Sequence, residues 1–534
     1  MTERKDKKQN KIYIYDTTLR DGVQRADISF SVKDKLELIE RFDEIGIDYI
    51  EVGFPASNPK EMQLFDQLKS HKCKYSKIMA FGMTRYKDIK VEKDKNIEVL
   101  IGSGADGVCV VGKSSRSHVE KVIETSMENN LFMISDTIKY LKEYFSEVHF
   151  DAEHFFDGFK EDPEYALKTL EAAGDAGADF ICICDTNGGI LPVEVEAIVE
   201  KVKSRIEIPL GAHFHNDSSC ADANSIIAVE KGAVMVQGTM NGYGERCGNA
   251  DLCTIIPNLE IKLGRSCLKK NNLEHITNLS RFVSETANQI ANNHQPFVGR
   301  FAFAHKGGMH ASGVSKTSES FEHVKPAEVG NTRKILVSEL SGKKSIILKA
   351  KELGIDLKDD VETVSRILEK IQNLEHQGYQ FEAADGSFEL LVEEAGGRKS
   401  RFFTLESYRV LNERTAGGGM MSEATVKVRV GKKRIIKTAE GNGPVSALDG
   451  ALREAIESCF PGLARIELTD FKVRVLNQKR GTSAVVRVLI ESSDGEKTWG
   501  TIGVSENVID ASWQALEDSI IYGLMHLEKE KPTI

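Results

Sequence analysis

A chain of 534 residues with 40% hydrophobic and 28% charged side chains has the composition of a soluble globular protein and the length of at least two domains. Its formal net charge of -10 argues against nucleic acid as a partner, because counterion release at phosphates needs a basic surface and the lysines here are interspersed with acids. The N-terminal MTERKDKKQNK has no apolar leader core and no run approaches a membrane span, so a cytoplasmic protein without membrane contact is expected.

From residue 12 onward, short apolar runs alternate with longer stretches of helical period. The runs are IYIYDTTLRDG, YIEVGFP, KIMAFGMT, DGVCVVGK, VHFDAEHFF, DFICICDTNGG, IPLGAHFHND and AVMVQGTMNGYGER. About eight strand–helix units in roughly 250 residues is the rhythm of a (β/α)8 TIM barrel. The runs are apolar throughout, as parallel strands covered on both faces should be. Nine cysteines, odd in number and without a Cys-x-x-Cys pair, several inside these runs, read as reduced, buried thiols.

Polar groups gather where the runs end: Asp16, Arg20 and Asp21 after the first, Glu51 in the second, Lys113 after the fourth and Glu153 at the fifth. Asp185 and Thr186 follow the sixth, His213, His215 and Asn216 the seventh, and Asn241 with the GERCGN loop the eighth. In a closed barrel these ends share one mouth. An open doubly wound sheet is the competing architecture, but it would not collect polar groups from every strand in turn.

His213 and His215, two residues apart on a strand, present both imidazoles to one face, which suits a divalent metal. Asp21 can supply a third ligand from the first strand's end, and Asn249 an amide oxygen, leaving open positions for a chelating substrate. The competing reading is a hydrogen-bonded core pair of histidines. Asn216 and Asp217 are expected to orient the imidazoles without ligating.

From 276 to 390 the pattern becomes helical around the glycine-rich FAFAHKGGMHASGVSK, which reads as a linker and lid. Beyond 390, RFFTLESYRVLNER, SEATVKVRVGKKRIIKTAEGNGP and the helix VSALDGALREAI are echoed by LTDFKVRVLNQKR, SAVVRVLIESSDGEKTWGTIGVSEN and VIDASWQALEDSIIYGL. This is a duplicated three-strand-plus-helix unit, an α+β domain without clustered ligands. ERTAGGGMMSEA reads as a mobile loop between the halves. The expected division is therefore a barrel over 1–275, a helical linker and lid over 276–390, and a C-terminal domain over 391–534.

YDTTLRDGVQ (15–24), GAHFHND (211–217), NGYGERCGNADL (241–252), FAFAHKGGMHASG (301–313) and EGNGPVSALDGAL (440–452) resemble segments of the 2-isopropylmalate, homocitrate and citramalate synthases. DAEHFFDG, CDTNGG and the WGTIGVSEN ending are most similar to the citramalate branch. The resemblance runs nearly the whole chain. It implies a metal-dependent Claisen-type acyltransferase that joins acetyl-CoA to a 2-oxo acid, either pyruvate for isoleucine synthesis or 2-oxoisovalerate for leucine synthesis.

It also implies roles. Asp21, His213, His215 and the weaker Asn249 would ligate the metal, which could be Mn2+, Mg2+, Co2+ or Zn2+. Arg20 would stabilise oxyanion charge, or close the barrel mouth as a salt bridge. Thr186 would bind the substrate carboxylate, or cap its own turn. Glu153 would act near the acetyl methyl, or support a ligand. His310, with His305 as competitor, would be the lid's general base, supplied by the partner subunit of a homodimer. Phe321 stands where relatives carry a tyrosine, so the hydroxyl that a proton relay there would use is missing. Phe81 and Val111 are the expected apolar walls selecting pyruvate, or else ordinary core. No basic residue is clearly placed for the second carboxylate of 2-oxoglutarate, which disfavours homocitrate synthesis.

The C-terminal domain would be regulatory and bind isoleucine or leucine, with 415–424 and 481–483 as effector loops. A metal-dependent lyase and a non-catalytic amino-acid sensor are the rivals. The lid and regulatory segment weigh against the first, and the intact polar set against the second.

Overall fold

The structure, a computed structural model, describes residues 10–317, 320–338, 343–352, 354–355, 357, 360–397, 402–414, 418–476 and 484–527. The chain divides into two compact units: Met1–Phe303 with Val324–Thr332, and Ala304–His323 with Arg333–Ile534.

In the first unit eight parallel strands close into a barrel: β1 (Tyr13–Asp16), β2 (Tyr49–Gly53), β3 (Lys77–Met83), β4 (Gly107–Lys113), β5 (Val148–Glu153), β6 (Phe180–Asp185), β7 (Leu210–Phe214) and β8 (Met235–Gly238). Closure is the pairing of β1 with both β2 and β8, Asp16 lying opposite Ile50 on one side and Gly238 on the other. β2, β6, β7 and β8 are buried at every position, which is why they read as unbroken apolar runs.

The surrounding helices are amphipathic and well punctuated. Ser31 and Asp34 form a capping box at the start of helix Val32–Ile45, whose Leu38, Ile39 and Phe42 are fully buried. Gly46 ends that helix at φ 94°, a left-handed conformation costly for any residue with a Cβ. Helix Ile276–Thr286 belongs to this unit and buries Leu279 and Val283 in its core.

The barrel interior is filled by side chains, with Tyr15, Tyr49, Met79, Cys109, Phe180, Cys182 and Met235 among them. At its lower end Tyr49 donates to Glu147 at 2.6 Å, and Glu147 also pairs with Lys77 and His149. Five of the nine free cysteines are buried, and Cys247 is exposed.

The second unit starts with a short parallel pair, β9 (Ala304–His305) and β10 (Lys334–Ile335), and the helix Gly308–Lys316. Helices Lys343–Glu352, Val361–His376 and Asp385–Ala395 share a core through Ile346, Ile367, Ile371 and Phe388. Two antiparallel sheets follow. One has β11 (Thr404–Arg414), β12 (Met420–Val430) and β13 (Lys433–Gly441) with helix Pro444–Ile456. The other has β14 (Glu467–Val475), β15 (Val486–Ser493) and β16 (Thr498–Ser505) with helix Val508–Leu527.

The duplicated βββα pattern is thus the architecture of the C-terminal domain. Alternation makes it work: Ala424, Val426, Val428 and Val430 turn inward from β12, and both helices join one core through Leu448, Leu452, Leu516 and Ile520. The glycine-rich stretch joins β11 to β12, whose Arg414 and Met420 pair, so it lies within the first repeat and not between the halves. Residues 415–417 and 481–483 of the expected effector loops lie outside the described residues. Among the described residues no helix is long and apolar enough to cross a membrane.

Candidate metal centre and active site

The turn after β1 is built to aim two side chains over the barrel. Asp16 accepts the backbone N–H and the hydroxyl of Thr18 at 3.0 and 2.8 Å, while the Thr17 carbonyl accepts the N–H groups of Arg20, Asp21 and Gly22. Arg20 and Asp21 therefore leave a tight turn into a cavity of about 560 Å3 that His213 and His215 also line.

The Asp21 Oδ2 atom lies 3.4 Å from His213 Nε2 and 4.0 Å from His215 Nε2. One donor atom from each of the three falls within 4.8 Å of the others, so together they can hold a metal ion. All three residues are buried. Burial works against the Asp21 charge, but Arg20 and the imidazoles outweigh it, and its pKa falls to about 2. Burial lowers His213, and burial with His213 beside it lowers His215 to about 4. The trio is an ionised carboxylate and two neutral imidazoles near pH 7, the protonation states a cation requires.

The polar atoms around the trio fit an ion as well. Asn249 donates to Asp21 at 2.7 Å, and its carbonyl oxygen is buried without a hydrogen-bond partner, as is Nδ1 of His215. Unsatisfied buried acceptors are costly unless something else fills their demand. A Cβ on Gly244 would stand 2.0 Å from the Asn249 Oδ1 atom, so only glycine lets that loop close over it. Arg246 binds the loops together, donating twice to Asp217 at 2.8 and 2.9 Å and once to the Thr186 carbonyl at 2.8 Å.

Three family models cover the chain in sequence: HMGL-like over residues 11–283, homocitrate synthase post-HMGL domain-like over 297–379, and LeuA allosteric (dimerisation) domain over 382–524. The chain is 50% identical to the (R)-citramalate synthase of Geobacter sulfurreducens, over 97% of this chain and 98% of that one. It is 49% identical to that of Aquifex aeolicus, over 97% and 99%. The 2-isopropylmalate synthase of Methanocaldococcus jannaschii is 31% identical over 97% and 96%. The chain belongs to the (R)-citramalate synthase family.

The remaining expected residues of this family's site fall into two groups. Arg20, Phe81, Val111, Glu153 and Thr186 all line the same cavity. Arg20 donates to Glu51 at 2.6 Å, sits 3.5 Å from Asp21, and lies 4.0 Å over the Phe81 ring, which meets Phe54 edge-on. Glu153 pairs with Lys113 on the neighbouring strand, and among the described hydrogen bonds its carboxylate takes none from a ligand residue. Thr186 accepts the backbone N–H of His154 at 2.9 Å, so its oxygen ties β5 to β6 instead of capping its own turn.

His310 belongs to the second unit, on the helix Gly308–Lys316, exposed and stacked on Phe321 at 4.3 Å. His305 is buried against Glu322 at 3.2 Å, and Glu322 is held in turn by Arg333. The competitor histidine thus sits in an ion-pair network, while His310 presents its ring to the surface.

The expectation that Asn216 and Asp217 orient the imidazoles is corrected. Asn216 accepts the N–H of Ala221 at 3.2 Å and Asp217 is taken by Arg246. His213 is bonded through Nδ1 to Gln237 at 3.0 Å. Gln237 and the role of Glu51, which also takes the Tyr15 hydroxyl at 2.8 Å, were missed. The available signal was a lone polar residue in each of two apolar runs, YIEVG and MVQG.

Proposed function

We propose that the chain condenses acetyl-CoA with pyruvate to give (R)-citramalate and CoA. The observation that carries this reading is its near-full-length identity with several (R)-citramalate synthases, well above that with 2-isopropylmalate synthase. The converging side chains of the cavity suit the same chemistry.

Asp21, His213, His215 and Asn249 would hold a divalent cation, whose contribution when bound is Lewis-acid polarisation of the 2-oxo acid's ketone. Mn2+, Mg2+, Co2+ and Zn2+ all suit this mixed nitrogen and oxygen set. Arg20 stays protonated, since Glu51 and Asp21 raise its pKa against the effect of burial, so it stabilises the developing alkoxide without titrating. Glu51 and the Phe81 ring fix the direction of that guanidinium.

Thr186 uses its oxygen on His154, which leaves its O–H to donate to the substrate carboxylate. Glu153 faces the acetyl methyl, its carboxylate held in place by the ion pair with Lys113. His310, delivered from the lid of a partner subunit, takes the methyl proton as general base. Phe321 carries no hydroxyl and stacks on His310, so it packs that ring and relays no proton.

Phe81 and Val111 shorten the pocket in favour of pyruvate, the smaller 2-oxo acid. One methylene is worth about 1–3 kcal/mol of such discrimination. In domain terms, 1–275 is catalytic together with the helix Ile276–Thr286 that packs in its core, the rest of 276–390 links and covers, and 391–534 regulates, with isoleucine as the effector and leucine as the alternative. The exposed apolar residues of β14, Phe471, Val473 and Val475, and of the first sheet, Leu411, Met421 and Ile436, suit burial against a second copy.

A CoA-release assay with pyruvate, 2-oxobutyrate, 2-oxoisovalerate and 2-oxoglutarate tests the reading. Pyruvate is expected to give the highest kcat/KM, and a preference for 2-oxoisovalerate would replace it with 2-isopropylmalate synthesis. His310→Ala is expected to lower kcat by about 10²–10⁴ with little change in the KM for acetyl-CoA. A change confined to KM would move the base role elsewhere.

A further inference from the structure

The two ligand histidines are supported differently. Nδ1 of His215 is buried without a hydrogen-bond partner, whereas Nδ1 of His213 lies 3.0 Å from the side-chain oxygen of Gln237. Gln237 is fully buried on β8, opposite His213 in the sheet register. Its NH2 group donates across the barrel interior to Asp151 on β5 at 2.8 Å.

The direction of this chain is dictated by chemistry. Asp151 offers Oδ1 as an acceptor, which a carboxyl keeps whether or not its other oxygen holds a proton, so it draws the NH2 end of the amide and leaves the carbonyl end to His213. A carbonyl can only accept, so His213 must carry its proton on Nδ1. Its Nε2 lone pair then faces Asp21, 3.4 Å away. With both amide ends matched, reversal would set two acceptors against each other at Gln237 and an ionised Asp151, in a place where water does not compete.

We propose that Gln237 is a positioning residue, oriented by Asp151, that fixes the tautomer and ring direction of His213 for metal binding. The proposal rests on the metal reading of Asp21, His213 and His215. It assigns the orienting function to β8, three strands round the barrel from Asp151 on β5, and to residues 86 positions apart in the chain. Metal-ligating imidazoles supported in this way typically lose about 10–100-fold in affinity when the supporting group is removed.

The test is Mn2+ binding to the full chain, followed by the electron paramagnetic resonance of free Mn2+, for wild type, Asp21→Ala, Gln237→Met and the double variant Gln237→Glu with Asp151→Asn. Thermal melting without metal identifies which variants are folded. The double variant exchanges carboxylate and amide, so an acceptor still faces His213 and a donor still faces that acceptor. Gln237→Met is expected to bind about 10–100-fold more weakly, and the double variant within about threefold of wild type. Equal binding by wild type and Asp21→Ala would defeat the metal reading itself. With that reading intact, wild-type affinity in folded Gln237→Met would overturn the proposal. Where Gln237→Met does not fold, the double variant decides: recovery supports the proposal, and a loss of tenfold or more overturns it.

Discussion

β6 carries Cys182 and Cys184, and β7 with the residue that follows it carries His213 and His215, so each supplies two ligand-type side chains two residues apart, and each pair lies beside a buried aspartate. Cys184 and His213 are even opposite one another in the sheet. By residue type and spacing both trios qualify as metal sites, yet their protonation differs. Burial pushes the Cys182 thiol far up. The bond with Cys182 pulls Cys184 down, but burial and the charges of Asp151 and Glu153 take it to about 11. Burial, with Glu51 nearby, raises Asp151 to about 7.

The cysteine trio therefore offers two neutral thiols and a half-protonated acid, when a cation requires thiolate and carboxylate. The histidine trio offers the forms a cation binds, because Arg20 stands beside Asp21. What separates a site from a core here is the local field and not the inventory of ligands.

The largest effect should separate the two trios outright. Asp21→Ala is expected to remove metal-dependent CoA release, a fall of at least about 10³-fold. Cys182→Ser and Cys184→Ala should stay within about threefold of wild type and keep their Mn2+ affinity. Loss of metal on Cys184→Ala would mean that the thiols take part after all.

Arg20→Lys probes why one trio is ready. Lysine keeps the charge but cannot hold Glu51 at 2.6 Å, stack on Phe81 and reach the reacting oxygen with one planar group. The expected result is a fall in kcat of about 10², with Mn2+ affinity changed less than tenfold. If kcat survives, oxyanion stabilisation belongs to another donor.

The same contrast explains what could be read in the sequence. The barrel was legible because strands buried on both faces must be apolar throughout and their polar ends must converge. His213 and His215 were legible because a strand's period of two puts them on one face. Gln237 was not, since its partners come from β5 and β7 and only closure brings them together. Asn216 and Asp217 misled for the matching reason: they follow the ligands in the chain, but the turn after β7 sends them to Ala221 and Arg246. The second repeat was legible from its echo of the first, whereas the glycine-rich hairpin was misplaced because composition alone does not say which strands a loop joins.

The rule that a buried carboxylate whose charge is not balanced holds its proton should also act in the second unit, on stability. Asp518, in helix Val508–Leu527, accepts the Ser387 hydroxyl at 2.6 Å. Burial raises its pKa to about 7, with Glu517 and Glu394 adding to the rise and the Ser387 hydrogen bond and the Lys370 charge opposing it without cancelling it. An unfolded chain would release that proton near pH 4. Between about pH 4 and pH 7 the folded form thus binds more protons than the unfolded form, and stability falls as pH rises. The contribution is complete below that window and lost above it, the reverse of a carboxylate such as Asp21, whose lowered pKa gives stability that vanishes on acidification. Asp518→Asn keeps the shape and removes the titration. It should flatten the melting profile over this window and raise stability at pH 8 by roughly 1–2 kcal/mol, or about 2–4 °C per kcal/mol in a unit of this size. Melting curves of the two proteins from pH 4 to 8 measure the difference, and parallel profiles would show that Asp518 is ionised in the folded state throughout.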